Sequence, residues 1–325
     1  MNRRLALAAL LTVCTSLSAT LSPAFAADPW PSRPVRMVVP FPAGGSSDAV
    51  ARLIAQRLSE KFGQQFVVDN KPGAAGNLGT DNVAKSPGDG YTLALTTSGP
   101  LANNKFLYKT MPFEAKDLTP IAVVGEIPVL IAGNPSGGDK SLKDLLARAR
   151  AKPGQITVGH PGNGTIGHLA MAYVAVQSNV QVNLIPYKGD SPGIVDLIGG
   201  TIDGLSIPVT ALISNIQGGK VTGLAVASAK RFPGLPNVPT AAEQGLDVEA
   251  SVWFALVGPA NMPADVVGKL NAEVNAILKT PEARDKLAQF GGVVGGGTPA
   301  DLNKLIETES AKWKRIIEVA KITID

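Results

Sequence analysis

The sequence contains little of the chemistry on which most enzymes depend. Its 325 residues include one cysteine and two histidines, and charged residues make up only 17% of the chain. The cysteine, Cys14, lies in an N-terminal segment that we predict to be removed. The mature chain would then contain no disulfide, no thiol nucleophile and no thiolate metal ligand. We therefore expect neither a metal centre nor a cofactor.

Long hydrophobic runs are also missing beyond the N-terminus. Arg3 and Arg4 precede an apolar run at 5–13, which is too short to cross a bilayer. Ala24-Phe25-Ala26 places small residues where a signal peptidase reads them. We predict that residues 1–26 are a cleaved signal peptide. A lipoprotein box at 11–14 is the alternative, although Val13 fits poorly before the cysteine.

Positive charge is not concentrated anywhere in the mature chain. Removal of the signal peptide takes away two arginines and no acid, so the formal net charge falls from +4 to +2. Lysine and arginine are spread thinly, without the basic block that a phosphate backbone selects. We therefore expect no nucleic-acid partner.

The mature chain alternates strand and helix patterns in two series. Strand patterns of the first series occur at 35–41, 65–70 and 91–97. Those of the second occur at 129–132, 156–159, 180–186 and 221–227. The order is typical of doubly wound α/β sheets. Because the last hundred residues have one strong strand, 252–257, and mostly helices, we predict one lobe of 27–126 plus 228–325 and a second of 127–227.

Two glycine-rich loops, 42–48 and 161–165, carry the functional prediction. Each lies between the carboxyl end of a strand and the start of a helix, where open α/β sheets bind ligands. Ser46 or Ser47 is the expected N-cap of the first helix. Free N–H groups and the partial positive charge of a helix N-terminus receive anions. The pair predicts an anion held from both sides, unless the glycines only form tight turns.

Catalytic patterns are scarce. The stretch 162–167 reads GxGxxG, but the next strand lacks the acid that a dinucleotide site needs. His160 could join Ser98 and an acid in a triad, yet no nucleophile elbow places the serine. His168 should lie in the first helical turn, where the dipole favours a neutral imidazole that bonds the ligand or the loop. Asp203 is either an acid that stabilises a turn or a residue that binds an amine or hydroxyl group of the ligand.

Motifs along the whole mature chain resemble those of one protein family. They are WPSRP at 30–34, VVPFPAGGSSD at 38–48, NKPGAAGN at 70–77, DGYTL at 89–93, GNGT at 162–165 with His168-Leu169, PYKG at 186–189, AKR at 229–231 and VPTAAE at 238–243. The chain resembles the periplasmic Bug receptors, which are the extracytoplasmic solute receptors of tripartite tricarboxylate transporters.

The resemblance implies a type II periplasmic-binding-protein fold, with two doubly wound lobes, a hinge and a ligand cleft between them. It implies a periplasmic, non-enzymatic receptor for a small carboxylate, with membrane transporter subunits or a sensor domain as partner. A monomer is the default expectation. The expected ligand-binding residues are Phe41, Ala43, Gly44, Gly45, Ser47, Asp48 and Ser98 in one lobe, Gly162, Asn163, Thr165 and His168 in the other, and Asp203.

Two departures from the family pattern bear on the ligand. Gly159-His160-Pro161 and Ser206-Ile207-Pro208 replace more common polar stretches near the expected cleft. They favour a less polar or bulkier acid than citrate or aspartate. The alternative functions are a periplasmic hydrolase with Ser98 or Thr165 as nucleophile, and the binding component of another importer or of a sensor.

Overall fold

The computed structural model describes residues 30–289, 293–322 and 324. The predicted signal peptide, its cleavage site and Cys14 lie outside these residues. The chain divides into a unit Met1–Ser32, of which only residues 30–32 are described, and a unit Arg33–Asp325, which contains every element discussed below. Within the described residues, no helix has both the length and the apolar character needed to cross a membrane.

Strands and helices alternate through most of the larger unit. The strands are β1 Val35–Val39, β2 Phe66–Asn70, β3 Thr92–Thr97, β4 Leu118–Gly133, β5 Thr157–His160, β6 Asn183–Pro186, β7 Gly204–Pro208, β8 Thr222–Val226, β9 Ser251–Pro259 and β10 Val293–Gly296. The helices are α1 Ser46–Phe62, α2 Asn77–Ala84, α3 Leu142–Ala151, α4 Ile166–Gln177, α5 Asp190–Gly199, α6 Ile213–Gln217, α7 Ala264–Lys279, α8 Pro281–Gln289 and α9 Pro299–Ala320.

The strands form one continuous hydrogen-bonded path in the order β2-β1-β3-β9-β4-β7-β5-β6, and β8 and β10 also pair with β4. Strands β1, β2 and β3 are mutually parallel, and so are β5, β6 and β7. Strand β9 runs antiparallel between β3 and β4. The two parallel groups are therefore joined through β4, which pairs antiparallel with β9 and then with β7 and β8.

Strand β4 differs most from the sequence prediction, which places a new unit near residue 127 and a short strand at 129–132. The structure instead has a single 16-residue strand across that point. Pro120, Glu126 and Pro128 interrupt the apolar pattern, yet the strand accommodates irregular register against β9 near Pro120 and Val123. The predicted lobe boundary at 126/127 falls inside this strand and stays a prediction. Strands β7 and β10 were not predicted.

The topology brings several loops to one crevice. Loops that follow β1 and β3 come from one parallel group, and loops that follow β5, β6 and β7 come from the other. All five leave the carboxyl ends of parallel strands, which is where open α/β sheets leave room for a ligand. The buried strands β1 and β3 and the strands β5 and β7 provide a rigid support for these loops.

Helix capping agrees with the sequence at two helices and differs at a third. Thr298 and Asp301 form a capping box at the start of α9, as their spacing of three residues favours, and the Ser141 side chain accepts from the N–H of Asp144 at the start of α3. The N-cap of α1, however, is Gly45, without a side-chain cap. The prediction of Ser46 or Ser47 as N-cap was wrong, because both belong to the helix and the Ser46 hydroxyl bonds elsewhere.

Burial of β1 generates a stability prediction. Val38 is fully buried in β1, whereas Val67 in the neighbouring strand β2 is 52% exposed. We expect Val38→Ala to lower the free energy of unfolding by roughly 1–3 kcal/mol, since it loses apolar burial and leaves a cavity. Val67→Ala should cost about 0.5 kcal/mol or less. Urea unfolding of both variants measures the difference, and equal losses would contradict this description of the core.

Candidate functional site

A pocket lies between the two glycine-rich loops, and we call it the inner pocket. It measures about 580 Å³ when its open mouth is included. One wall comes from the loops after β1 and β3 and includes Phe41, Pro42, Gly45, Ser46, Ser47 and Ser98. The opposite wall comes from the loops after β5, β6 and β7 and includes Pro161, Thr165, Gly167, Gly189, Asp190 and Pro208.

The N-terminus of α1 faces this pocket. Gly45, the N-cap, has an extended backbone, and an added Cβ would meet its nearest atom at 3.6 Å. The first N–H groups of a helix have no partner within the helix. At Ser46 both the hydroxyl and the N–H donate to Asp190 Oδ2, at 3.0 and 3.4 Å. This contact joins the two walls of the pocket.

Asp48 holds the first loop in shape. Its carboxylate accepts from the N–H of Gly44 at 3.1 Å, from Arg52 at 2.9 Å and from the Asn70 amide at 3.1 Å. Burial opposes ionisation, but these hydrogen bonds lower the pKa of Asp48 overall. Asp48 does not line the inner pocket. The structure therefore assigns its carboxylate to the loop, whereas the sequence prediction places it on the ligand.

The second loop is held by its own side chains. The Thr165 hydroxyl donates to the carbonyl of Gly162 at 2.7 Å. The N–H of Gly162 donates to His160 Nδ1 at 3.3 Å, and that of Gly164 donates to His168 Nδ1 at 3.2 Å. Both imidazoles accept at Nδ1, so each carries its proton on Nε2. His168 thus bonds the loop, one of the two roles that the sequence left open.

The two histidines form a buried stack with ring centroids 4.5 Å apart. Burial lowers the pKa of His160 to about 3 and that of His168 to about 4. The prediction of a neutral imidazole at His168 is confirmed. Its main cause is loss of hydration, however, and not the helix dipole that the sequence suggests.

Ser98 supplies the one buried hydroxyl of the first wall that has no partner among the described residues. Ser98 is fully buried, and its Oγ makes no hydrogen bond with the described residues. A buried hydroxyl without a partner costs about 1–3 kcal/mol. Neither His160 nor His168 bonds it, so the triad arrangement that the sequence left open is not formed here.

Asp203 lies at the start of β7 and does not line the inner pocket. Its carboxylate accepts from the N–H and the hydroxyl of Thr157, both at 2.9 Å, and pairs with Arg148. These bonds tie β7 to β5 and α3. The structure therefore favours a structural role for Asp203 over a contact with an amine or hydroxyl group of the ligand.

Residues 50–322 of the chain match the model of a family described as the tripartite tricarboxylate transporter family receptor. The chain belongs to that family. Its fold is similar to that of the R. palustris protein Rpa4515 with adipate, at 38% sequence identity and a TM-score of 0.88, covering 90% of this chain and 99% of that one. This confirms the predicted fold of two doubly wound lobes around a ligand cleft.

Two further structures of solute-binding proteins are similar to this receptor. The periplasmic binding protein BugD has 32% identity and a TM-score of 0.85, covering 90% of this chain and 99% of BugD. MatC from Rhodopseudomonas palustris, with bound malate, has 29% identity and a TM-score of 0.84, covering 89% of this chain and 100% of MatC.

The receptor brings together about half of the residues that the sequence nominated. Phe41, Gly45, Ser47, Ser98 and Thr165 line the inner pocket. Gly162 and Asn163 line an adjoining outer cavity instead, which shares Phe41, Pro42, Pro161 and Gly189 with the inner pocket. The nominated residues that line neither space are Ala43, Gly44, Asp48, His168 and Asp203.

The sequence prediction missed the contribution of the loop after β6. Gly189 and Asp190 line the inner pocket, and Asp190 is the first residue of α5. The signal was available, because PYKG at 186–189 also joins a strand to a helix. The loop after β2 was also missed: Ala74 and Ala75 line the outer cavity with positive φ of 46° and 50°, which is costly for alanine.

The histidine stack generates a prediction about pH. An unfolded histidine has a pKa near 6.5. Between that value and the folded values of about 3 and 4, the unfolded chain binds more protons. The free energy of unfolding should therefore fall as the pH is lowered, by about 2–3 kcal/mol per imidazole at pH ~4.5. Urea unfolding at pH ~7 and at pH ~4.5 measures this loss.

The His160→Gln variant isolates the contribution of one ring, because every carboxylate is shared with the parent protein. Between pH ~7 and ~4.5, the free energy of unfolding of the variant should fall by about 2–3 kcal/mol less than that of the parent protein. The same decline in both proteins would contradict a buried neutral imidazole at His160.

Proposed function

We propose that this receptor captures a small organic acid in the inner pocket and delivers it, in the periplasm, to a tripartite tricarboxylate-type transporter. One observation carries the proposal. The N-terminus of α1 and the unpaired hydroxyl of Ser98 face the same pocket, which the loops after β5 and β6 close from the other side. Such donors are suited to a carboxylate.

The available donors are sufficient for useful affinity. Micromolar binding requires about −8 kcal/mol. A hydrogen bond to a charged group contributes roughly 1.5–3 kcal/mol, and a helix N-terminus adds ~0.3–2 kcal/mol. Association and ordering oppose these gains. Three or four contacts from the N–H groups of α1 and from Ser98 therefore suffice without an arginine.

Binding by closure of two lobes fits the contacts across the crevice. Asp190 meets Ser46, and the hydroxyl of Tyr108 donates to the carbonyl of Asn163 at 3.1 Å. The partners in each pair come from different parallel strand groups and are far apart in the chain. We infer that these contacts form when residues 127–227 close on the rest of the chain around the bound acid.

Receptor function is favoured over hydrolysis by the surroundings of the two hydroxyls. A serine or threonine nucleophile needs an adjacent base. Ser98 Oγ has no partner, and Thr165 Oγ1 donates to a backbone carbonyl. The structural relatives with adipate and malate are consistent with a carboxylate ligand. Pro161 and Pro208 at the pocket wall favour an acid with an apolar body.

A substitution at Gly45 tests directly whether the N-terminus of α1 binds the carboxylate. The extended backbone of Gly45 accepts any residue, and an added Cβ would make only ordinary van der Waals contact, 3.6 Å from Asp190 Oδ2. Gly45→Val should therefore fold normally while its methyl groups fill the space that the carboxylate would occupy. A thermal-shift screen of mono-, di-, tricarboxylates and aromatic acids would first identify a binder. Calorimetry should then show at least about a tenfold loss of affinity in the variant. Unchanged affinity would refute the site.

Ser98 provides a second test with a matched control. Ser178 also has a buried hydroxyl without a partner, but it lies beyond the C-terminus of α4 and outside the inner pocket. Ser98→Ala and Ser178→Ala should both leave stability unchanged or slightly raised, since each removes an unsatisfied group. Only Ser98→Ala should weaken acid binding, by roughly tenfold in calorimetry. Equal affinities in the two variants would exclude Ser98 from the site.

A further inference from the structure

Asp190 is the one ionisable side chain among the described residues that line the inner pocket. It is only 8% exposed. Its Oδ2 accepts both hydrogen bonds from Ser46, and its Oδ1 accepts none from the described residues. No lysine, arginine or histidine of the described part of the chain forms an ion pair with it. An acid therefore lies in a pocket whose other polar features are suited to an anion.

This arrangement is unfavourable for a ligand that carries only carboxylates. Such a ligand would bring a second negative charge beside a desolvated carboxylate, without a cation between them. Burial already raises the pKa of Asp190, and only the bonds from Ser46 oppose that effect. Ser46 is the one hydrogen-bond donor to this carboxylate among the described residues, and a cationic group of a ligand would supply the counter-charge that those residues lack.

The pocket places its acceptor directly beside its donors. Asp190 Oδ2 accepts from the hydroxyl and the N–H of Ser46, at the helix end where we propose that the ligand carboxylate binds. A complementary ligand would carry a donor next to its own carboxylate. A 2-amino acid has these two groups on adjacent carbons. The remaining wall includes Phe41, Val129 and Val252, which are suited to an apolar body.

We propose that the receptor binds a zwitterionic 2-amino acid, with its carboxylate at the N-terminus of α1 and its ammonium group on Asp190. This assignment rests on the proposed capture of an organic acid in the inner pocket. It makes Asp190 the residue that distinguishes amino acids from plain organic acids, because an ammonium group neutralises the buried carboxylate and a methylene group cannot.

Matched ligand triplets test the proposal. Each triplet keeps the carbon skeleton and changes only the group on C2 from ammonium to hydroxyl to hydrogen: norvaline, 2-hydroxyvalerate and valerate; aspartate, malate and succinate; glutamate, 2-hydroxyglutarate and glutarate. Calorimetry on the intact mature protein should show the ammonium member of the best triplet binding at least about tenfold tighter than the hydrogen member. A preference for the hydroxyl or the hydrogen member would overturn the assignment.

The Asp190→Asn variant shows whether the preference arises at this residue. The amide can still accept from Ser46, so the fold should persist, but the charge is removed. We expect the tenfold preference to shrink to about threefold or less, while the hydrogen member binds as well or better. Asp196→Asn in the same helix is the control, because Asp196 bonds the Tyr187 hydroxyl and does not line the inner pocket. It should keep the full preference.

The outcomes distinguish a failure of this inference from a failure of the proposed capture of an organic acid, on which the inference rests. If no carboxylate of any triplet binds, the proposed capture of organic acids fails. If carboxylates bind but Asp190→Asn raises the affinity of all three members equally, Asp190 competes with the ligand carboxylate for α1, and the ammonium assignment is overturned. Should Asp190→Asn unfold, Asp190→Ser removes the same charge in a smaller side chain and is judged by the same ratio.

Discussion

The meeting of parallel strand ends at one crevice is the constraint on which the site depends. Strands β1 and β3 from one group and β5, β6 and β7 from the other all deliver their loops there. Helix N-termini follow several of these loops, so the crevice is lined by backbone N–H groups. The receptor therefore needs few charged side chains, which agrees with a chain in which only 17% of residues are charged.

Polar side chains near the crevice mostly shape loops. Asp48 holds the first loop through Gly44, and the two histidines hold the second through Gly162 and Gly164. Because the carboxylate of Asp48 and the Nδ1 atoms of both histidines are bonded within the protein, these side chains position the loops, and none of the three lines the inner pocket. Ser98 and Asp190 are different because both line the inner pocket, Ser98 with an unpartnered hydroxyl and Asp190 with a carboxylate whose Oδ1 receives no hydrogen bond from the described residues. These two are the side chains that a ligand would contact.

Several elements could be predicted because their signals are local. Helix α4 begins directly after the second glycine-rich loop, as predicted, and α9 begins at a capping box whose two residues, Thr298 and Asp301, are three positions apart. The length of β4 could not be predicted, because the register that carries it past Pro120 and Pro128 depends on β9, more than a hundred residues away. The N-cap of α1 was missed for the same reason, since Ser46 bonds Asp190 across the pocket.

The sequence by itself determined the family, the alternation of strands and helices, and the two glycine-rich loops that line the inner pocket, because short motifs and periodicity encode them. Only the tertiary structure decided which polar groups face the pocket. Asp48, Asp203 and Asp190 look alike in the sequence as acids near strand ends, yet Asp48 and Asp203 lie outside the inner pocket and Asp190 lines it. Their difference arises from partners brought together by folding, and no local pattern records those partners.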